Sequence, residues 1–304
     1  MLRLRLFFAC FLIFLTFWVH AQSGINKFLK PSDSINKARF NSVVIAESSI
    51  AGLGLIGLNQ LWYKDFDRSN FHTIDDGNEW MQMDKLGHLF SSYQLTRLGT
   101  ESIRWSGADD KKSLIFGSAL SLGFLTTVEI FDGFSEEWGF SWYDFAANVT
   151  GTGLYIGQEL LWNEQRASIK FSFHQTRFSD QNPDKLGENF IQEIIKDYNG
   201  QTIWLSINLR SFLKESSIPS WLNLAFGYGA EGMLTGTNPD KEGIFIDQDR
   251  YAQWYLSLDL DLTRIKTKSH VLKTIFSVVN VIKIPLPTLE FSSRKKRHFY
   301  LFYL

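Results

Sequence analysis

Four stretches in the first half of the chain repeat apolar residues at helical spacing: roughly Ser42 to Tyr63, Lys85 to Arg104, Lys112 to Phe131 and Tyr143 to Trp162. Gly52, Gly54 and Gly57 lighten one side of the first, and Gly117, Ser121 and Gly123 the third. The four-residue step from Gly117 to Ser121 suits close helix packing. After Trp162 the period drops to two. Trp254, Leu256, Leu258, Leu260 and Leu262 alternate with Tyr255, Ser257, Asp259, Asp261 and Thr263, which predicts a strand with one apolar face. Further strands are expected at Ile203 to Leu209, Ser168 to His174, Trp221 to Gly229 and His298 to Leu304. Residues 187–197 and 269–281 read as helices, and 178–187 and 235–250 as turn-rich. The pattern is that of an α+β protein, an N-terminal bundle of about four helices followed by an antiparallel β-sheet or partial β-barrel. Residues 22–40 read as a linker with a helix start near Ser32, 41–164 as a helical domain and 165–304 as a β-rich domain.

The first 21 residues change the compartment. Arg3 and Arg5 precede the apolar run Leu6 to Val19, and Val19-His20-Ala21 offers a cleavage site, so 1–21 read as a secretory signal peptide. The single cysteine, Cys10, lies inside that apolar run and does not read as a lipidation site. Removing the leader would leave no thiol, which excludes disulfides, thiolate catalysis and cysteine-ligated metal. A formal charge of −1 carries no basic bias, so nucleic acid is not an expected partner. Aromatic residues make up 15% of the chain, which fits a membrane-interface belt or an aromatic core equally. The uncharged runs 48–63, 113–128 and 145–158 fall short of the ~20 residues a bilayer span needs. A compact bundle docked on or shallowly embedded in a membrane is therefore expected, with a four-span inner-membrane protein as the alternative. The five or six strands are fewer than the roughly eight of a membrane barrel. The aromatic ending Phe299-Tyr300-Leu301-Phe302-Tyr303-Leu304 nevertheless looks like the terminal signal of outer-membrane barrels.

The candidate chemistry sits in the helical half. Asp84 and His88 are four apart and share one helix face; Asp144, Asn148 and Gly151 form a stripe on another helix. Ionisable groups on faces that seek burial need partners, so these stripes are expected to face each other, with Glu129 between them. Three readings follow. In the first, Asp84, Lys85, His88, Glu129, Ser141, Asp144, Asn148 and Gly151 form a structural polar cluster that locks the helices together. In the second, His88 is a general base oriented by Asp84, Glu129 or Asp144, acting on an envelope lipid or glycan. Ser141 is a nearby hydroxyl but lies in no nucleophile elbow. The third is metal ligation, for which the motif offers one imidazole and no His-x-x-x-His pair; no metal and no cofactor is expected. Gly52-x-Gly54-x-x-Gly57 lacks the preceding strand of a nucleotide site. Arg294 to Arg297 reads as a solvated turn, and His72 and His174 as surface residues.

The ordered set Asp84-Lys85-x-x-His88, Glu129, then Ser141-x-x-Asp144-x-x-x-Asn148-x-x-Gly151 resembles the VanZ-like family and the related predicted periplasmic lipoproteins of the YfiM type. The VanZ pattern carries a Gln and an Arg after the Glu, where this chain has Asp132, Glu136 and Glu137, and the lipoproteins carry a lipidation cysteine. The resemblance covers roughly residues 80–160 and implies a cell-envelope protein with a functional polar cluster, without supplying a reaction. The combined expectation is an exported, non-catalytic protein on the periplasmic side of the outer membrane, in its assembly or maintenance. Membrane lipid or envelope proteins would be its partners. A membrane-associated hydrolase or transferase, and an inner-membrane location, are the alternatives.

Overall fold

The computed structural model describes residues 24–64, 66–213, 215–237 and 250–303; the expected signal peptide with Cys10, and most of the turn at 235–250, lie outside them. Four long helices build the first half: α1 (Lys37–Leu58), α2 (Met83–Trp105), α3 (Asp110–Gly133) and α4 (Trp142–Trp162). Side chains cap three of them. Asn36 accepts from the Arg39 N–H, Asp109 from Lys112 and Ser141 from Asp144. The first helix thus starts five residues beyond Ser32. The preceding segment is fastened down, with Ser32 and Asn36 donating to the last carbonyls of α2 and the Arg39 guanidinium over Trp105.

The helices α2, α3 and α4 meet where their side chains are smallest. Ser121 donates to the Ser92 carbonyl at 2.9 Å, and the Thr96 and Thr152 hydroxyls lie 3.1 Å apart. A β-carbon at Gly151 would overlap the Leu89 carbonyl and the Ser92 hydroxyl. Backbone cannot yield as a side-chain tip can, so Gly151→Ala is expected to cost about 3 kcal/mol in a thermal or chemical unfolding experiment, with no change in helix content at low temperature.

Helix α1 is different. None of its residues is buried, and Ile45, Ile50, Leu53 and Ile56 point outward. By length and composition α1 and α3 could each cross a membrane. Glu47 interrupts α1, however, and leaves only the run 48–63 uncharged.

The second half is a six-stranded antiparallel sheet in sequential order: β3 (Ala167–Phe173), β4 (Gln201–Ile207), β5 (Leu222–Glu231), β6 (Tyr251–Leu260), β7 (Thr288–Ser292) and β8 (Lys296–Tyr300). It is not closed into a barrel. Two short strands, β1 (Thr73–Ile74) and β2 (Phe140–Ser141), pair in parallel beside the bundle. Short helices α5 (Pro183–Leu186), α6 (Phe190–Lys196), α7 (Leu209–Phe212) and α8 (His270–Val279) connect the strands. The pattern missed β7, a five-residue strand just after Pro285 and Pro287. It also placed the last strand late. Beyond β8 the chain turns inward and buries Tyr303 against Trp204 and Tyr255. His174, expected at the surface, is half-buried with its ring against Tyr303. Leu262 lies in a tight turn rather than on the apolar row of β6.

A sheet packed on helices should bury its apolar face. Strands β3 and β4 and the end of β5 do so, with Ile169, Phe171, Ile203 and Ala230 in one core with Tyr93 and Tyr155. Beyond that contact the same apolar face is uncovered, and it is the opposite, polar face that is buried. On β6, Tyr251, Gln253, Tyr255, Ser257 and Asp259 are buried while Trp254 is 60% and Leu258 42% exposed. The register extends this across the sheet. Phe226 opposes Leu205 and Leu256, Leu256 opposes Leu289, Trp254 opposes Phe291, and Leu289 opposes Phe299, giving one continuous apolar outer face.

The inner face is polar and hydrogen-bonded. Lys170 and Asp259, both fully buried, pair at 2.7 Å; Ser206 donates to Asp259, Asn223 to Ser206 and Tyr300 to Glu290. Lys283 joins them, with its ammonium 4.8 Å from the Trp204 ring centroid. Burial, aided by the Lys170 charge and opposed by that of Asp259, pushes Lys283 down to about 8. Between pH 8 and 10.5 the unfolded chain then holds a proton that the native state has lost, so stability rises with pH through that window. Unfolding in detergent at pH 7.5 and pH 10 should show a gain of about 2 kcal/mol, and Lys283→Met should abolish it.

Candidate functional site

The polar residues expected to face one another do converge, at the end of the bundle where α2 and α4 begin. Asp84 and Asp144 occupy the first turns of these helices, where the helix dipole favours negative charge. Glu129 comes from the last turns of α3, where it does not. Lys85 lies at the centre: its ammonium bonds Asp76, and sits 3.0 Å from Asp84 and 3.3 Å from Asp144. His88 Nδ1 lies 3.2 Å from Asn148 Oδ1 and 3.5 Å from Glu129 Oε1, while its Nε2 is 3.8 Å from Asp84 Oδ1. Ser141 does three things: it caps α4, donates its hydroxyl to Asp76 at 2.7 Å and offers its backbone N–H to Glu129 Oε2 at 3.4 Å. Gly151 stands one turn beyond Asn148 and lets α4 close on α2.

Three contributors carried no local signal. Asp76 lies outside any regular element, between β1 and α2. Tyr198, from the loop after α6, donates its hydroxyl to Asp84 Oδ1 at 2.7 Å. Tyr63, aimed by a π-helical turn at Asn59–Tyr63, donates to Asp132 Oδ1 at 2.7 Å. Just before α2, Trp80, Met81 and Gln82 hold positive φ, a rare conformation for three consecutive side-chain-bearing residues. Contacts with the β half hold it in place: Trp80 N–H donates to the Gly236 carbonyl and Tyr228 to the Met81 carbonyl. The two halves of the chain are thereby joined beside Asp84.

The electrostatics follow from an excess of acid in a buried place. Asp76, Asp84, Glu129, Asp132 and Asp144 face Lys85 and His88 alone among the described residues of the cluster. Burial, then the charge of Asp84, push Asp144 up to about 8. Burial pushes Glu129 up to about 7 and Asp132 up to about 6. Burial acts the same way on Asp84, but His88, Lys85 and the Tyr198 hydroxyl outweigh it and hold this carboxyl below its ordinary value. Burial would lower Lys85 and His88; the surrounding carboxylates overcome it and raise both. The cluster therefore holds protons as well as charges at neutral pH.

Access is narrow. The His88 and Asp84 side chains are 19% and 20% exposed, and Glu129 is enclosed. Of two surface cavities of about 490 and 630 Å³, the first meets the site through Tyr63 and is otherwise lined by residues such as Phe66 and Phe131, and the second is lined by Arg104, Leu114 and Ile156 among others. Such a site can lock helices, hold a small ion or exchange a proton.

Residues 74–157, which include the cluster from Asp76 to Gly151 but not Tyr63 or Tyr198, match a family described as "Predicted periplasmic lipoprotein (DUF2279)". The match supports an exported protein with a periplasmic location in the cell envelope. No curated protein and no solved structure matches the chain.

Proposed function

We propose that this protein is a non-catalytic component of the outer membrane's periplasmic side, in assembly or maintenance of that membrane, with the polar cluster as an internal lock between helices. The observation that carries the reading is the inverted sheet. A polar inner face with an apolar outer face is the arrangement of strands in outer-membrane proteins, whose outer rows meet lipid. Strands β5 and β6 have ten residues each, within the 9–11 that a crossing strand needs, but β3 and β4 have seven and β7 and β8 five. The outer face therefore dips into one leaflet rather than crossing the bilayer. Lipid is the first partner, and envelope proteins reached along the membrane are the second.

Density-gradient fractionation, followed by extraction with a mild detergent selective for the inner membrane, tests this. Recovery in the detergent-resistant outer-membrane fraction is expected; recovery in the inner membrane or in the soluble periplasm sinks the proposal. A second reading rests on His88, which is partly exposed and backed by Asp84 and Glu129 as a general base would be. In that case His88→Gln would keep the fold and abolish function. In the reading preferred here a folded His88→Gln protein still functions.

A further inference from the structure

We infer that His88 Nε2, Asp84 and Asp144 form a site for one divalent transition-metal ion of the Mn²⁺ or Zn²⁺ class, a role that goes beyond a lock made of hydrogen bonds. The argument starts from distances. One ligand atom from each of these three side chains lies within 4.8 Å of the others. Donors about 2.1 Å from a common tetrahedral ion stand about 3.4 Å from one another, so binding draws the three side chains together by up to about 1.4 Å. Both carboxylates stand on first helical turns, which fixes their bases while leaving their tips adjustable.

The surroundings fit a metal better than they fit a closed salt-bridge network. Asp144 is 5% exposed, yet its Oδ1 has no hydrogen bond and meets only the Lys85 ammonium at 3.3 Å. Glu129 is 1% exposed, and its Oε1 has no hydrogen bond either, standing 3.5 Å from His88 Nδ1. Buried acceptors of this kind cost about 1–3 kcal/mol each when left unsatisfied. The imidazole is already oriented as a metal-bound one would be. Asn148 Oδ1 and Glu129 both face Nδ1, which leaves Nε2 as the nitrogen directed at Asp84.

Charge argues the same way. Five carboxyl groups face only two basic side chains among the described residues of the cluster, an excess of acid that a divalent ion would offset in part. Lys85, whose ammonium lies 3.0 Å from Asp84 and 3.3 Å from Asp144, gives up these two carboxylates when the ion enters and keeps its bond to Asp76. The single nitrogen donor disfavours Mg²⁺ and Ca²⁺, which take oxygen alone.

Mn²⁺ titration of the full-length protein in detergent, read by electron paramagnetic resonance, tests the site. One tightly held Mn²⁺ with spin-echo coupling to an imidazole nitrogen is expected. His88→Gln, which keeps a hydrogen bond to Asn148, should remove that coupling and weaken binding at least tenfold. Asp144→Asn should weaken it without removing the coupling. No stoichiometric Mn²⁺, Mn²⁺ without nitrogen coupling, or a His88→Gln protein that binds as the wild type does would each overturn the assignment.

Discussion

Lys85→Met will lose about 3–5 kcal/mol of stability and, with it, the docking of α2 on α4. Lys85 is the one fixed cation among the described residues within reach of Asp76, Asp84 and Asp144, all of them largely enclosed. Methionine matches its length and fills its space, so the change isolates the charge. Two sources of cost add. The carboxylates repel one another once the ammonium is gone, and their desolvation is no longer offset. Protonation of the carboxyls recovers part of this, since Asp144 already holds its proton up to about pH 8. What remains is a large share of the 5–15 kcal/mol that holds a typical domain together. A drop in melting temperature of about 10 °C or more is expected in detergent, while the exposed Lys111→Met should shift it by less than a degree. Adding Asp76→Asn to Lys85→Met should recover part of the loss, because one of the stranded charges goes with it. A Lys85→Met protein as stable as the wild type would show that the acids carry protons in place of the lysine, and that the lock is made elsewhere.

The lock was legible in the sequence because helical spacing fixes a face. Once Asp84 and His88 share one side of α2, and Asp144 and Asn148 one side of α4, an apolar bundle leaves them little choice but to meet. The four helices were legible for the same reason, and their caps at Asp109 and Ser141 sit where the apolar runs begin. What could not be read was anything set by tertiary approach. Tyr198 reaches Asp84 across 114 positions of sequence, and no local pattern announces it. Asp76 is held by Lys85 and Ser141 from outside any element. The left-handed run at Trp80 to Gln82 breaks the ordinary preference of those residues, and only its hydrogen bonds to Gly236 and Tyr228 explain it. The strand β7 escaped because five residues with Glu290 among them carry too short an alternation. Most instructive is β6. Its period of two showed plainly that there were two faces, but periodicity carries no sign. Which face is buried depends on whether the surroundings are water or lipid.

That sign can be measured by charging one face at a time. Trp254→Lys and Phe226→Lys alter the outer face, where both side chains are exposed and the Trp254 ring meets only the edge of Tyr228. In detergent each should change unfolding stability by less than about 0.5 kcal/mol, as other surface substitutions do. In a membrane each should cost roughly 2–4 kcal/mol if the residue sits deep, and less near the interface. Flotation with vesicles should accordingly fall at least tenfold for the double variant. Lys170→Met reverses the outcome. It strands Asp259, whose Oδ2 pairs with Lys170 and accepts from Ser206 inside the sheet. It should therefore cost about 3–5 kcal/mol in detergent while leaving the flotation of whatever remains folded unchanged. The first half of this pattern is not expected of a water-soluble sheet, in which charging an exposed tryptophan would raise solubility and leave vesicle binding untouched. If Trp254→Lys and Phe226→Lys float as the wild type does, the apolar rows are covered by protein rather than lipid. The membrane reading of this half of the molecule would then fall, while the polar cluster in the helical half, which rests on different residues, would stand.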